Sequence, residues 1–225
     1  TLDVANNARL TATNCAVFSN SKSDKGIEAK DSAVVSASFI CSAGGKAGSK
    51  WQFDPPPVTD CPQIPDPLKG RPVPDSAGCT YTKLDVREST ELSPGIYCGG
   101  LRITKGAVAT LRPGVYVIKD GPLIVDGDAT LTGEGVGFYF YGDKATLTFA
   151  YDSTISLSAP THGVMAGILI LEDRNAEKLR EFRIRSDNAR VLLGTIYLPN
   201  SRLVLDSKRP VADKSAFTVI VARRL

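Results

Sequence analysis

Two nearly identical turns constrain the fold of this chain more than any other feature. Their sequences are Ser93-Pro94-Gly95-Ile96-Tyr97 and Arg112-Pro113-Gly114-Val115-Tyr116, and they begin 19 residues apart. A fixed period of about twenty residues, with an apolar strand following each turn, is typical of a coiled β-solenoid. One coil cannot bury its apolar face alone, so neighbouring coils stack and share a continuous core. The repeat therefore predicts stacked coils of short parallel strands.

Strand-like apolar patterns continue this repeat over most of the sequence. In most of them, alternate apolar residues fall on one face of a strand, with Gly, Pro, Asp and Asn at the corners between strands. We therefore predict an all-β fold, a right-handed parallel β-helix of about eight coils with three short strands each. One pattern recurs at Leu84-x-Val86, Leu101-x-Ile103, Leu123-x-Val125, Leu147-x-Phe149, Phe182-x-Ile184 and Leu203-x-Leu205.

Residues 44–78 interrupt the regularity. This stretch holds eight of the 14 prolines and Trp51, the only tryptophan of the chain. Because proline cannot donate a hydrogen bond to a sheet ladder, we predict an excursion that packs on the flank of the solenoid. Similar coils flank it on both sides, so the prediction is a single domain over residues 1–225. A linker between two domains is the alternative.

Composition and charge exclude several classes of protein. With 225 residues, of which 42% are hydrophobic, the chain can bury a sizeable core. No apolar run is long enough for a transmembrane helix. The net charge of +3 comes without a nucleic-acid-binding motif, so we predict no nucleic-acid partner. Because the sequence begins at Thr1 and not Met, we expect any signal peptide or membrane anchor to lie upstream.

All five cysteines lie in the first half of the chain, at Cys15, Cys41, Cys61, Cys79 and Cys98. Their spacing fits no zinc motif, and the single histidine, His162, is distant in sequence, so we predict no metal ion and no cofactor. Disulfide bonds in an oxidising compartment fit the pattern better.

The solenoid model suggests which cysteines pair. Cys41 and Cys98 each end an equivalent strand, and their coils become neighbours if residues 44–78 are an excursion. Stacked strands lie ~4.8 Å apart, within the range that a disulfide accepts. Cys61 and Cys79 would then pin the proline-rich loop. Cys15 is left as the free thiol, or it replaces one of these partners.

Two regions are candidates for an interaction surface. Residues 172–190 mix charges of both signs, which is typical of a solvated face or of a docking surface for an acidic partner. Trp51 and Phe53 precede three consecutive prolines and either contact a partner or plug the solenoid flank. The candidate surface residues are Trp51, Phe53, Arg174, Lys178, Arg180, Arg183, Arg223 and Arg224.

An enzyme is the first rival interpretation, since many β-solenoids cleave polysaccharides. The candidate acids are Asp126, Asp128, Asp143 and Asp152. Aspartate is common at such corners because it accepts turn hydrogen bonds, and an Asp-x-Asp pair alone does not predict a calcium site. His162 is predicted to be a turn residue, and no nucleophile elbow or phosphate-binding loop is present. We therefore predict no catalytic residues. The alternative is a β-helix protein that binds carbohydrate or cleaves polysaccharide as a lyase or hydrolase.

A self-assembling adhesin module is the second rival. The ends of a solenoid expose strand edges that must be capped, or they pair with another chain. The last apolar segment, residues 216–221, is either a buried terminal coil or such a docking edge, with Arg223 and Arg224 after it as charged gatekeepers.

Several motifs in sequence order carry a family resemblance. They include Asp60-Cys61-Pro62-Gln63-Ile64-Pro65-Asp66-Pro67-Leu68, Leu92-Ser93-Pro94-Gly95-Ile96-Tyr97-Cys98-Gly99-Gly100-Leu101, Leu111-Arg112-Pro113-Gly114-Val115-Tyr116-Val117-Ile118 and Gly194-Thr195-Ile196-Tyr197-Leu198-Pro199-Asn200-Ser201. Over nearly its whole length, the chain resembles the C-terminal region of TadE/TadG-like Flp pilus-assembly proteins of alphaproteobacteria. Residues 172–190 and 221–225 are more charged than the resemblance leads us to expect.

The resemblance implies a function and a location. It implies a non-catalytic, extracytoplasmic domain of the tight-adherence (Tad) pilus machinery, periplasmic or extracellular. An N-terminal segment outside this sequence would anchor the full-length protein to the inner membrane. The implied partners are other pilus-assembly or envelope proteins, and glycans are a further candidate. The family pattern supplies no catalytic residue to carry over.

Overall fold

The computed structural model describes all 225 residues, and it confirms a parallel β-solenoid. The solenoid has about ten turns, slightly more than the eight predicted. No helix is long and apolar enough to cross a membrane.

A single 3₁₀ turn covers Lys50–Gln52. The strands are β1 (Leu2–Val4), β2 (Arg9–Ser19), β3 (Ile27–Ala29), β4 (Val34–Ser42), β5 (Lys46–Ala47), β6 (Phe53–Asp54), β7 (Tyr81–Val86), β8 (Thr90–Leu92), β9 (Gly95–Ile103), β10 (Val108–Leu111), β11 (Gly114–Lys119), β12 (Leu123–Val125), β13 (Thr130–Gly133), β14 (Val136–Tyr141), β15 (Leu147–Phe149), β16 (Thr154–Ser158), β17 (Ile168–Glu172), β18 (Glu181–Ile184), β19 (Asn188–Leu205) and β20 (Thr218–Arg224).

The chain divides into two compact units. The first unit comprises residues 1–70 together with 224–225, and the second comprises residues 71–223. The division falls inside the predicted proline-rich excursion. That the whole chain forms a single domain stays a prediction.

The first unit contains two three-stranded parallel sheets, ordered β1-β3-β5 and β2-β4-β6. Ile27, Val35 and Ile40 are fully buried in its core. Residues 46–54 were predicted to belong to the excursion, but they form β5, the 3₁₀ turn and β6, which extend both sheets. At the chain end, the backbone N–H of Leu225 donates to the carbonyl of Thr1 over 3.2 Å.

The second unit is built around one 14-stranded sheet that turns through three sides. The first side contains β8, β10, β13, β16 and the start of β19. The second side contains the first half of β9, then β11, β14, β17 and the middle of β19. The third side contains β7, the second half of β9, then β12, β15, β18 and the end of β19.

Strand β9 shows how one strand serves two sides. Its residues 95–98 pair with β11, and residues 101–103 pair with β12. Between them, Gly99 and Gly100 have φ angles of +74° and +99°, which residues other than glycine rarely adopt. These two glycines therefore turn the chain around the corner without ending the strand.

A stack of aromatic rings fills part of the core of the second unit. Successive ring centroids lie 4.7 Å apart for Tyr81 and Tyr97, 5.9 Å for Tyr97 and Tyr116, and 5.6 Å for Tyr116 and Phe138. Tyr97, Tyr116 and Phe138 are almost completely buried. Offset aromatic contacts of this kind add stability beyond the area that they bury.

The repeated turns that dominate the sequence have a physical basis in this stack. The hydroxyl of Tyr97 donates to the carbonyl of Ser93 over 2.6 Å, and the hydroxyl of Tyr116 contacts the carbonyl of Arg112 over 2.8 Å. Each tyrosine thus reaches back four residues to the carbonyl just before the proline. The motif therefore closes its own turn with a buried hydroxyl group.

Glycine in the second turn is required by the stacking of coils. Gly114 has a φ of +143°, and a Cβ atom there would lie 2.4 Å from Cγ of Pro94 in the preceding turn. Pro94 therefore occupies the space that a side chain at position 114 would need. At Gly95 of the first turn, a Cβ atom would instead lie 2.9 Å from Oγ1 of Thr80.

Candidate functional site

Four of the five cysteines form disulfides, in the pairs Cys41–Cys61 and Cys79–Cys98. Cys15 is free and exposed. The predicted pairs Cys41–Cys98 and Cys61–Cys79 are wrong, because each of these four cysteines is bonded to the cysteine 19 or 20 residues away in the sequence. Two disulfides are consistent with a location outside the cytoplasm.

Local strand pairing brings each pair of cysteines together. After the three consecutive prolines, the N–H of Val58 donates to the carbonyl of Ile40 over 2.9 Å. The N–H of Cys61 then donates to the carbonyl of Ser42 over 3.0 Å, which places Cys61 beside Cys41. In the second unit, Cys79 lies just before β7, which pairs with β9, the strand that contains Cys98. The N–H of Thr80 donates to the carbonyl of Ile96 over 2.8 Å, which brings Cys79 close to β9.

Residues 62–70, which we call the proline segment, lie in the first unit and form neither helix nor strand. The side-chain amide of Asn20 holds the segment by its Nδ2, which donates to the carbonyl of Ile64 over 2.6 Å. Its Oδ1 accepts from the N–H of Ile64 over 2.9 Å. Pro62, Pro65 and the side chain of Ile64 are exposed. The segment is therefore fixed by its backbone and presents its side chains to solvent.

The outer surface of the second side is covered by other parts of the second unit. Val117, Tyr139 and Leu171 are buried although they lie on this side. Met165 packs against Gly137, and Arg71 Nη2 donates to the carbonyl of Ala166 over 2.7 Å. This side is therefore occupied and offers no open binding surface.

The first side carries an uncharged array of hydroxyl groups. Parallel register aligns β10, β13 and β16, so their outward residues form columns along the sheet. An ion pair of 2.6 Å between Arg112 and Glu91 lies at one end. The outward residues that carry hydroxyl groups are Thr110, Thr130, Thr132, Thr154, Ser156 and Ser158, and the exposed Val108 lies beside Thr130.

The outer surface of the third side is charged and holds a groove of about 280 Å³. Arg183 and Arg202 both pair with Glu181. Arg183 Nε donates to the Glu181 carboxylate over 2.8 Å, and Arg202 Nη1 donates over 3.1 Å. The lining residues are Glu181, Arg183, Arg185, Arg202, Val204 and Asp206.

Tyr151 flanks this groove. Arg185 Nε lies 3.2 Å from Asp206, and its Nη2 donates to the Tyr151 hydroxyl over 2.8 Å. The guanidinium carbon of Arg185 lies 4.4 Å from the centre of the Tyr151 ring, a cation–π contact. Hydrogen bonding to Tyr151 is the largest of the effects that raise the pKa of Arg185. We call these seven side chains the charged groove.

A second charged group lies farther along the third side. Asp85 accepts a hydrogen bond from Arg87 that lowers the pKa of Asp85. Arg102 pairs with Asp126 over 2.7 Å. Ile124 and Thr148 lie in register between the two charged groups. The third side is therefore polar at both ends and uncharged in the middle.

The acids considered for catalysis or calcium binding do not converge. Asp126 is paired with Arg102, while Asp128 is exposed with a φ of +60°, a turn conformation. Asp143 accepts from the N–H of Glu177 over 2.7 Å, and Asp152 is exposed at a turn. No group of three or more His, Cys, Asp or Glu side chains is arranged to hold a metal ion. His162 lies in an exposed loop.

The predicted interaction residues fall into two sets. Trp51 is 62% exposed, and Lys178, Arg183, Arg223 and Arg224 are exposed, with Arg174 partly so. Phe53 and Arg180 are buried, so their assignment to a surface is wrong. Phe53 belongs to the core of the first unit because β6 pairs with β4.

Arg180 is buried because it completes a polar network that sequence reasoning missed. Glu172 is fully buried and accepts from Arg180 Nη2 over 2.6 Å and from the Ser201 hydroxyl. Arg180 Nη1 also donates to the carbonyls of Gly142 and Ala145, each over 2.7 Å. The sequence held a signal for this network. Glu172 follows Ile168 and Ile170 at the same spacing of two residues, so it falls on the buried face, where a carboxylate needs a partner.

The terminal strand β20 pairs with β19 but is poorly covered. None of its residues is buried, and Phe217 just before it is 51% exposed. A buried terminal coil is therefore not what the chain forms, and the docking edge stays a prediction.

No family model matches the chain, and neither a curated protein nor a solved structure matches it.

Proposed function

We propose that this protein is a non-catalytic, extracytoplasmic interaction domain of a Tad (Flp) pilus-assembly protein, and that the proline segment contacts its partner. The observation that carries the proposal is the double fixation of this segment. The Cys41–Cys61 disulfide precedes it, and the Asn20 amide holds Ile64 by both backbone groups. A segment that is ordered before binding loses little conformational entropy when a partner docks.

The context of the proposal comes from the sequence motifs and the disulfides. The motifs resemble pilus-assembly proteins, and the disulfides suit the periplasm or the cell exterior. In the proposed arrangement, the full-length protein is anchored to the inner membrane outside this chain, and its partners are other pilus or envelope proteins.

A capture experiment tests the proposal. The oxidised chain is immobilised and exposed to a detergent extract of its own cell envelope, and the retained proteins are identified by mass spectrometry. We expect pilus-system proteins on the wild-type chain and their loss on Ile64→Asp, which places a charge on the exposed segment. Arg112→Ala, an exposed change on the first side, serves as the control and should retain them. Recovery of no pilus protein, or equal recovery on Ile64→Asp, would contradict the proposal.

A further inference from the structure

We propose that the charged groove on the third side binds a glycan that carries carboxylate groups, with one uronic acid residue in the groove. This site lies within the second unit, and the inference goes beyond the proposed pilus function without depending on it. The charge balance of the groove, its mixture of donors and acceptors, and the ion pairing of its arginines support this assignment.

The charge balance favours one carboxylate. Arg183 and Arg202 share a single acid, Glu181, while Arg185 has Asp206. Three guanidinium groups therefore face two carboxylates, which leaves one positive charge in excess. Each guanidinium has five N–H donors, and the bonds to Glu181, Asp206 and Tyr151 use only part of them. Planar guanidinium groups with free donors match the geometry of a carboxylate.

The acids in the groove favour a sugar over a simple polyanion. Glu181 and Asp206 would repel a phosphate or sulfate chain, but they accept hydrogen bonds from hydroxyl groups. A uronic acid residue supplies both a carboxylate and several hydroxyl donors on one ring. Tyr151, which is 40% exposed, and Val204 offer apolar surface beside these polar groups.

The three arginine side chains of the groove are ion-paired before any ligand binds. Glu181 stands in register with Arg202, and Arg183 with Val204, on the adjacent parallel strands β18 and β19. The ion pairs fix the long arginine side chains while these remain 49% exposed for Arg183 and 38% for Arg185 and Arg202. Part of the side-chain freedom of these arginines is therefore already restricted before a ligand binds.

Titration calorimetry with defined sugars tests the site. The probe is a tetramer of α-1,4-linked galacturonic acid, compared with the neutral galactose tetramer and with tetraglutamate. We expect saturable binding of the uronate only, and a loss of about tenfold or more in affinity for Arg183→Ala and for Arg202→Ala, since each removes charge-assisted hydrogen bonds. Arg112→Ala, also exposed and paired with an acid, should bind like the wild type.

Other results would overturn the inference. These are absence of uronate binding, equal binding of the neutral sugar or of tetraglutamate, or equal affinity in the groove variants and the control. Arg183→Lys keeps the charge but loses the planar fork, so it should bind more weakly than wild type and guards against a folding defect in the alanine variants. Because Ile64 lies outside this unit, the capture experiment and the calorimetry can fail separately.

Discussion

The buried hydroxyl of Tyr116 links the sequence repeat to the stability of the coil. It lies 2.8 Å from the carbonyl of Arg112 in its own turn and 2.8 Å from that of Leu92 in the preceding coil. A hydroxyl has one proton, so the two carbonyls share it. The carbonyl of Leu92 has a further donor in the N–H of Arg112, over 3.0 Å. The hydroxyl thus ties a turn to the coil beneath it.

Replacing Tyr116 by phenylalanine should destabilise the protein by about 1–2 kcal/mol, because the carbonyl of Arg112 loses its buried donor. Urea unfolding followed by circular dichroism measures the change. Tyr81→Phe is the matched control, since Tyr81 begins the same stack at a half-buried position, and it should stay within about 0.5 kcal/mol of wild type. Equal stability of the two variants would show that the hydroxyl bond contributes nothing.

At the scale of elements, the polar network around Glu172 holds the connection between β17 and β18. Oε2 of Glu172 accepts from the N–H of Asn200 over 3.0 Å, and Asn200 Nδ2 donates to the carbonyl of Arg174 over 2.7 Å. Arg180, at the other end of this connection, pairs with Glu172. The connection between β17 and β18 is therefore fixed to the solenoid at both of its ends.

We expect Glu172→Ala to cost about 3–5 kcal/mol of stability, because it leaves the Arg180 guanidinium buried without a counter-charge. Glu181→Ala, which removes a partly exposed ion-pairing acid, should cost about 1 kcal/mol or less. Denaturant unfolding compares the two. The double variant Glu172→Leu with Arg180→Met should recover part of the loss, since it removes both buried charges. A Glu172→Ala variant as stable as Glu181→Ala would contradict this role.

The same elements show what the sequence could and could not predict. The turn repeat and the period-2 patterns were enough to predict the solenoid. A coil that cannot bury its apolar face alone has to stack on its neighbours, so a repeat of such coils indicates the whole fold. The coil over residues 46–54 escaped prediction because β5 and β6 have only two residues each, too few to show a period. The Cys41–Cys61 bond escaped it because it depends on that coil and on the pairing of Val58 that follows. The repeat at Phe182-x-Ile184 and Leu203-x-Leu205 does give the register of β18 and β19. The charged groove still escaped prediction, because a repeat of inward apolar residues does not show which outward side chains form ion pairs.

At the scale of the whole molecule, three buried tyrosines couple stability to alkaline pH. Burial raises the pKa of Tyr97 and of Tyr116 far above the ordinary value, and it raises the pKa of Tyr139 to about 12. All three are at most 2% exposed. Since an unfolded tyrosine titrates near pH ~10, the unfolded chain releases these protons first as the pH rises.

We therefore expect stability to lose this contribution progressively above pH ~10, by up to ~1.4 kcal/mol per pH unit for each buried phenol. Below that pH, folded and unfolded chains hold the same three protons and the contribution is complete. Urea unfolding at a series of pH values, with phenolate absorbance recorded in parallel, measures both changes. Tyr139→Phe removes one of the three phenols, so its stability should fall less steeply with pH than that of the wild type. Identical slopes, or phenolate absorbance from all tyrosines before unfolding, would show that these rings ionise in the folded protein.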